Sequence, residues 1–120
     1  MYKADKFYIN GEWVSPSTND ECEVINPATE EVIGTVAMGN ENDVNNAVAA
    51  AKKAFETFSK TSIEERMALL DRIIAAYKAK MEKIAACVSQ EMGAPISMSN
   101  AAQAPAGLGH LLFAKTAVEK

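Results

Sequence analysis

Two hydrophobic rhythms divide the chain near Gly39. Before it, short β-favouring runs alternate with turn residues; after it, apolar positions recur with the 3.6-residue period of a helix. Phe7-Tyr8-Ile9 and Glu12-Trp13-Val14 flank Asn10-Gly11, a pair that supplies the two positive-φ positions of a tight hairpin turn. Strands this short need further packing to persist. Ser15 to Glu21 is polar and reads as loop. Glu23-Val24-Ile25 then runs into Asn26-Pro27-Ala28-Thr29, a turn in which Asn holds the backbone and Pro presets φ. Glu31 to Ala37, with Val32, Ile33 and Val36, predicts another strand.

From Asn42 onward Val44, Ala47, Val48, Ala51, Phe55 and Phe58 fall on one stripe of a helix about five turns long. Asn40 or Asn42 can cap it, and Glu41 and Asp43 suit its positive end. Ser62 followed by Glu65 is a capping box for a second helix. Along that helix Ile63, Met67, Leu70, Ile74, Tyr77, Met81, Ile84 and Val88 alternate spacings of four and three, a seam that asks for a helical partner. Gly93 and Pro95 end it. Ser97 or Ser99 is expected to cap a third helix, kinked or restarted at Pro105, with Leu108, Leu111, Leu112 and Val118 on its apolar side. The fold class is therefore α+β, mostly helical: short β-hairpins over residues 1–39, then about three helices over 40–120.

Composition narrows the functional classes. The chain has 120 residues, 48% hydrophobic and 23% charged, which is ordinary for a globular domain. Ala is as frequent as Val, Ile and Leu combined, so its helices approach closely while each residue buries little. A net charge of −4 with no basic stripe gives no electrostatic footprint for nucleic acid. Cys22 and Cys87 do not form a disulfide scaffold. The N-terminus lacks the apolar stretch of a signal peptide, and no run of about 18 apolar residues occurs to span a membrane. A cytoplasmic location is expected.

Candidate chemistry is sparse. Gly107-Leu108-Gly109 begins like a dinucleotide fingerprint, but Leu112 stands at the third glycine position and no strand leads into it. His110 is the single histidine, without companions at metal-ligand spacing. Cys22 lies between Glu21 and Glu23, and Cys87 lies late in a helix toward its negative end; both settings oppose a thiolate. Trp13, Met67 and Met81 are core candidates before they are ligand contacts. No catalytic or cofactor-binding residue is assigned.

Phe7 to Val14, Val24 to Ile33 with its Asn-Pro-Ala-Thr turn, Asp43-Val44 with Ala47 to Ala51 and Ala54-Phe55, Glu65-Arg66 with Leu69-Leu70, and Glu91-Met92-Gly93-Ala94-Pro95 occur in an order and spacing that resembles the opening of an NAD(P)-dependent aldehyde dehydrogenase. The resemblance covers the chain from Phe7 onward. It departs at Ala94, where many members carry Lys, which points to a subfamily. It implies the N-terminal part of the cofactor-binding domain of an α/β enzyme, with 1–39 and 40–120 together forming one incomplete domain. The family's nucleophilic Cys, general-base Glu, oxyanion-stabilising Asn and cofactor-gripping Lys lie downstream of the matched region, so a truncated and inactive piece is expected, with no NAD or NADP bound to it. The full-length protein is expected to take a small-molecule aldehyde and to form a homo-oligomer, without nucleic-acid or membrane partners. Some members hold a monovalent cation. The positions matching that site are Val24 and Ile25, through their carbonyls, and Glu91, through its carboxylate.

The Ile63–Val88 seam supports a second reading, a free-standing interaction module that binds another helix, and leads to an expectation of self-association through that face. The Asn26–Thr29 segment has no use in such a module.

Overall fold

The computed structural model describes residues 1–119, and the chain is α+β as its patterning implies. Five strands, β1 (Tyr2–Ala4), β2 (Phe7–Ile9), β3 (Glu12–Val14), β4 (Glu21–Asn26) and β5 (Glu31–Ala37), precede four helices. These are α1 (Glu41–Phe58), α2 (Ile63–Met92), the single turn α3 (Ile96–Met98) and α4 (Ala104–Glu119), with a π turn at Ser99–Gln103 between the last two. The chain forms two compact units, Met1–Lys60 and Thr61–Lys120.

In the first unit β4 and β5 pair antiparallel around the Asn-Pro turn. Asn26 Oδ1 accepts the Ala28 N–H at 2.9 Å, and the Asn26 carbonyl accepts from Glu30 at 2.8 Å. The register shifts between Val24 and Ile25, which face Gly34 and Val32, so Ile33 is the extra residue of a bulge. β1 adds parallel to the other edge of β5, giving the order β1-β5-β4. Three exposed residues with no alternation give no strand signal of their own, so the pattern does not predict β1. What admits it is Gly34: a Cβ there would lie 2.8 Å from the Tyr2 ring and from the Tyr2 carbonyl. Lys3 on β1 pairs with Glu21 on β4 at 2.9 Å.

β2 and β3 form the expected hairpin, with Ile9 opposite Glu12 and the turn at Asn10 (φ 54°) and Gly11 (φ 83°). Trp13 is not core: it is 67% exposed, its ring tilted against Tyr8 at a centroid distance of 5.2 Å. In a two-stranded sheet of three-residue strands, no second layer exists to cover the indole. Asn40 caps α1, accepting from the amides of Asn42 and Asp43. The predicted stripe is present, but Val44, Val48, Phe55 and Phe58 stay exposed along it.

In the second unit the Ser62–Glu65 capping box opens α2, and Gly93, at φ 72°, closes it by donating to the Ser89 carbonyl. α4 runs antiparallel along the seam. Tyr77 Oη donates to the Ala104 carbonyl at 2.9 Å, and Lys115 pairs with Asp71 a helical stretch away. Ile74, Ala85 and Ala104 are buried there. The seam thus finds its helical partner within the chain, which corrects the expectation of an open face for self-association; only its first residue, Ile63, stays mostly exposed.

Neither Ser97 nor Ser99 caps a helix. Pro95 occupies the cap position of α3 without a side-chain bond, and Ser99 is wholly buried with its Oγ donating to Gln103 Oε1 at 3.1 Å. Pro105 explains the π turn. It lacks the N–H owed to the preceding turn, and its ring would press on the carbonyl four residues back. Widening the turn, so that the Ala104 amide bonds the Ser99 carbonyl, relieves that crowding without ending the helix.

Candidate functional site

The best-organised polar cluster of the first unit centres on Asp43, which the N-terminal turn of α1 holds 8% exposed. Its Oδ1 accepts from the Ser17 amide at 2.9 Å and the Ser17 hydroxyl at 2.7 Å; its Oδ2 accepts from the Asn40 amide at 3.0 Å. Bonds from the Asn40 backbone and then the Ser17 side chain hold the carboxyl below its ordinary value of 3.8. A carboxylate so fully engaged and so weakly basic pins the 15–20 loop to α1 and is no general base. Asp43 is legible in the sequence as a capping acid. Its bond to Ser17, 26 positions away, is not, since nothing in a polar loop marks which residue returns to the helix.

An apolar groove of about 630 Å³ lies between β2 and the start of α1, lined by Phe7, Tyr8, Ile9, Val44 and Ala47. Its charged neighbours are Lys6 and the engaged Asp43, which make no reactive pair. Cys22 and Cys87 are both exposed, and the Cys22 thiol makes only a 3.6 Å contact to the Glu23 carbonyl. No cluster of three His, Cys, Asp or Glu residues suited to a metal occurs among the described residues. Gly107-Leu108-Gly109 lies inside α4, where backbone amides are spent on the helix and cannot cradle a phosphate; Gly107 is there because Tyr77 lies against it.

Val24 and Ile25 sit side by side at the bulge of β4 and β5, where the ladder is interrupted. Glu91 is exposed in the last turn of α2, next to the helix carbonyls that end at Gly93. The first two belong to one compact unit and Glu91 to the other. No helix is long and apolar enough to cross a membrane among the described residues.

The sequence profile of the aldehyde dehydrogenase family matches residues 13–120. A 3-succinoylsemialdehyde-pyridine dehydrogenase from a Pseudomonas species is 46% identical over 110 residues, 91% of this chain and 23% of the relative. An aldehyde dehydrogenase structure from Bartonella henselae superposes with a TM-score of 0.96 at 39% identity, over 99% of this chain and 25% of that one. Aldehyde dehydrogenase C of Pseudomonas syringae, a cysteine-to-alanine variant solved with NAD+ and octanal, gives 0.94 at 42% identity, covering 98% and 24%. The chain spans about a quarter of the length of the curated relatives it matches. By its profile match and by its likeness in sequence and fold to these enzymes, the chain belongs to the aldehyde dehydrogenase family.

Proposed function

We propose that the whole protein oxidises an aldehyde to the carboxylic acid with NAD(P)+. The observation that carries this is the profile match across residues 13–120, supported by the NAD+ and octanal complex of the P. syringae relative. The reaction consumes the aldehyde, water and NAD(P)+ and yields the acid, NAD(P)H and a proton, the cofactor serving as hydride acceptor. No residue of this chain is given the role of nucleophile, base or cofactor ligand. Asp43 is committed to Ser17 and Asn40, and both thiols are exposed. The 120 residues alone are therefore expected to be inactive.

Residues 1–39 and 40–120 read as parts of one domain larger than this chain. In the same reading the Val24 and Ile25 carbonyls and the Glu91 carboxylate hold Na⁺ or K⁺, and the whole protein works as a cytoplasmic homo-oligomer. The test is aldehyde-dependent NADH or NADPH formation by the chain and by a protein of the relatives' full length. Activity in the longer protein and none in the chain is expected. Turnover by the chain that disappears in Cys22→Ser or Cys87→Ser would overturn the assignment of both thiols.

A further inference from the structure

We propose that Asn10 is a site of spontaneous backbone modification, an asparagine that converts through a succinimide to aspartate and isoaspartate. Two observations converge on it. Asn10 is followed by glycine, and the hairpin places the pair at its exposed tip, between the paired residues Ile9 and Glu12 and outside the ladder. The space beside Gly11 is open, with no atom within 4 Å of where a Cβ would stand.

The chemistry needs only water. The Gly11 nitrogen attacks Asn10 Cγ, forming the ring N–C bond. The bond to the side-chain nitrogen breaks, and ammonia leaves with the proton that the Gly11 nitrogen gives up. Water then opens the ring at either carbonyl, returning the backbone as aspartate or rerouting it through the side chain as isoaspartate. No electrons change hands. A residue with a Cβ in place of Gly11 hinders the first step, and proline, which has no N–H, forbids it.

The other seven asparagines are each held differently. Asn26 precedes Pro27, and its side chain is occupied by the Ala28 amide. Asn40 is occupied by the cap of α1, while Asn42, Asn45 and Asn46 lie within α1. Asn100 lies in the π turn, and Asn19 precedes the bulkier Asp20. Only Asn10 combines an unhindered following residue with a site outside the regular ladder. The isoaspartyl product would add a backbone atom to a two-residue turn, which three-residue strands have no length to absorb.

The full folded chain is incubated at mildly alkaline pH beside a sample in denaturant, and both are peptide-mapped by mass spectrometry, with isoaspartate read by an isoaspartyl methyltransferase. Asn10 is expected to convert about tenfold or more faster than any other asparagine, at a folded rate within about tenfold of the denatured one. Gly11→Ala should slow conversion about tenfold; because that position has φ 83°, the comparison within the unaltered chain stands even where the variant misfolds. Conversion of Asn10 in the folded chain no faster than that of Asn19, or protection equal to that of Asn45, would overturn the proposal.

Discussion

Asp43 is the residue whose chemistry most directly controls local structure. Its carboxyl is held below 3.8, first by the Asn40 amide and then by the Ser17 hydroxyl. A group with a depressed folded pKa contributes stability that is present in full above its unfolded value and lost as pH falls through the folded one. The tie between the 15–20 loop and α1 should therefore hold at neutral pH and loosen only below 3.8. Protection of the Ser17 and Asn40 amides, taken against the intrinsic exchange rate at each pH, should fall on acidification and be independent of pH in Asp43→Asn; unchanged protection of the Ser17 amide in acid would refute the tie. The Tyr77–Gly107 contact is the second residue-scale device. A methyl at 107 would collide with the Tyr77 hydroxyl, an overpacking that costs about 1–3 kcal/mol. Tyr77→Phe loses one bond to the Ala104 carbonyl, about 1 kcal/mol. Urea melts of the single and double variants should show Gly107→Ala costing less when combined with Tyr77→Phe than alone. Strict additivity would mean that the two residues do not share one contact. Neither device was fully legible in the sequence, because each joins positions 26 or more apart; only the local half, a capping acid and a small residue in a helix, could be read.

At the scale of elements, what local chemistry decides was legible and what distant pairing decides was not. The Asn10-Gly11 hairpin, the Asn26 turn, β5 and both capped helix starts are set by residues within a few positions of each other, and each forms as its pattern implies. β1 depends on Gly34, some thirty positions on, and so left no periodic trace. The π turn is intermediate: Pro105 announced a break, and the chain met it by widening the turn before it without restarting the helix. A prediction belongs here too. Ser62 and Glu65 bond each other's amides at 3.2 and 2.7 Å, so Ser62→Ala strips one orphan amide at the start of α2. A loss of about 1 kcal/mol in urea unfolding is expected, with Ser62→Asp retaining most of the stability. Equal stability of the Ala and Asp variants would show that the cap adds nothing.

For the whole molecule, the cation candidates divide between the two compact units. Val44, Val48, Phe55 and Phe58 make an exposed apolar face on α1 of the first unit, and the chain spans about a quarter of its relatives' length. The proposed cation ligands Val24, Ile25 and Glu91 are reachable only through likeness to the family. Carbonyl ligands carry no side-chain signature, and a lone glutamate near a helix end is ordinary; the register shift beside Val24 and Ile25 appears only in three dimensions. The decisive measurement is therefore on the protein at its relatives' full length. Its thermal midpoint should be higher in Na⁺ or K⁺ than in a large organic cation at equal ionic strength, because a site that binds only the folded state stabilises by mass action. Glu91→Gln keeps the shape of the side chain and removes its charge, so it should shrink that difference while leaving the midpoint in the organic cation nearly unchanged. A full cation response in Glu91→Gln would remove Glu91 from the site. Loss of midpoint in every salt alike would instead make Glu91 a structural residue of the α2 terminus, and the cation reading would fall with it.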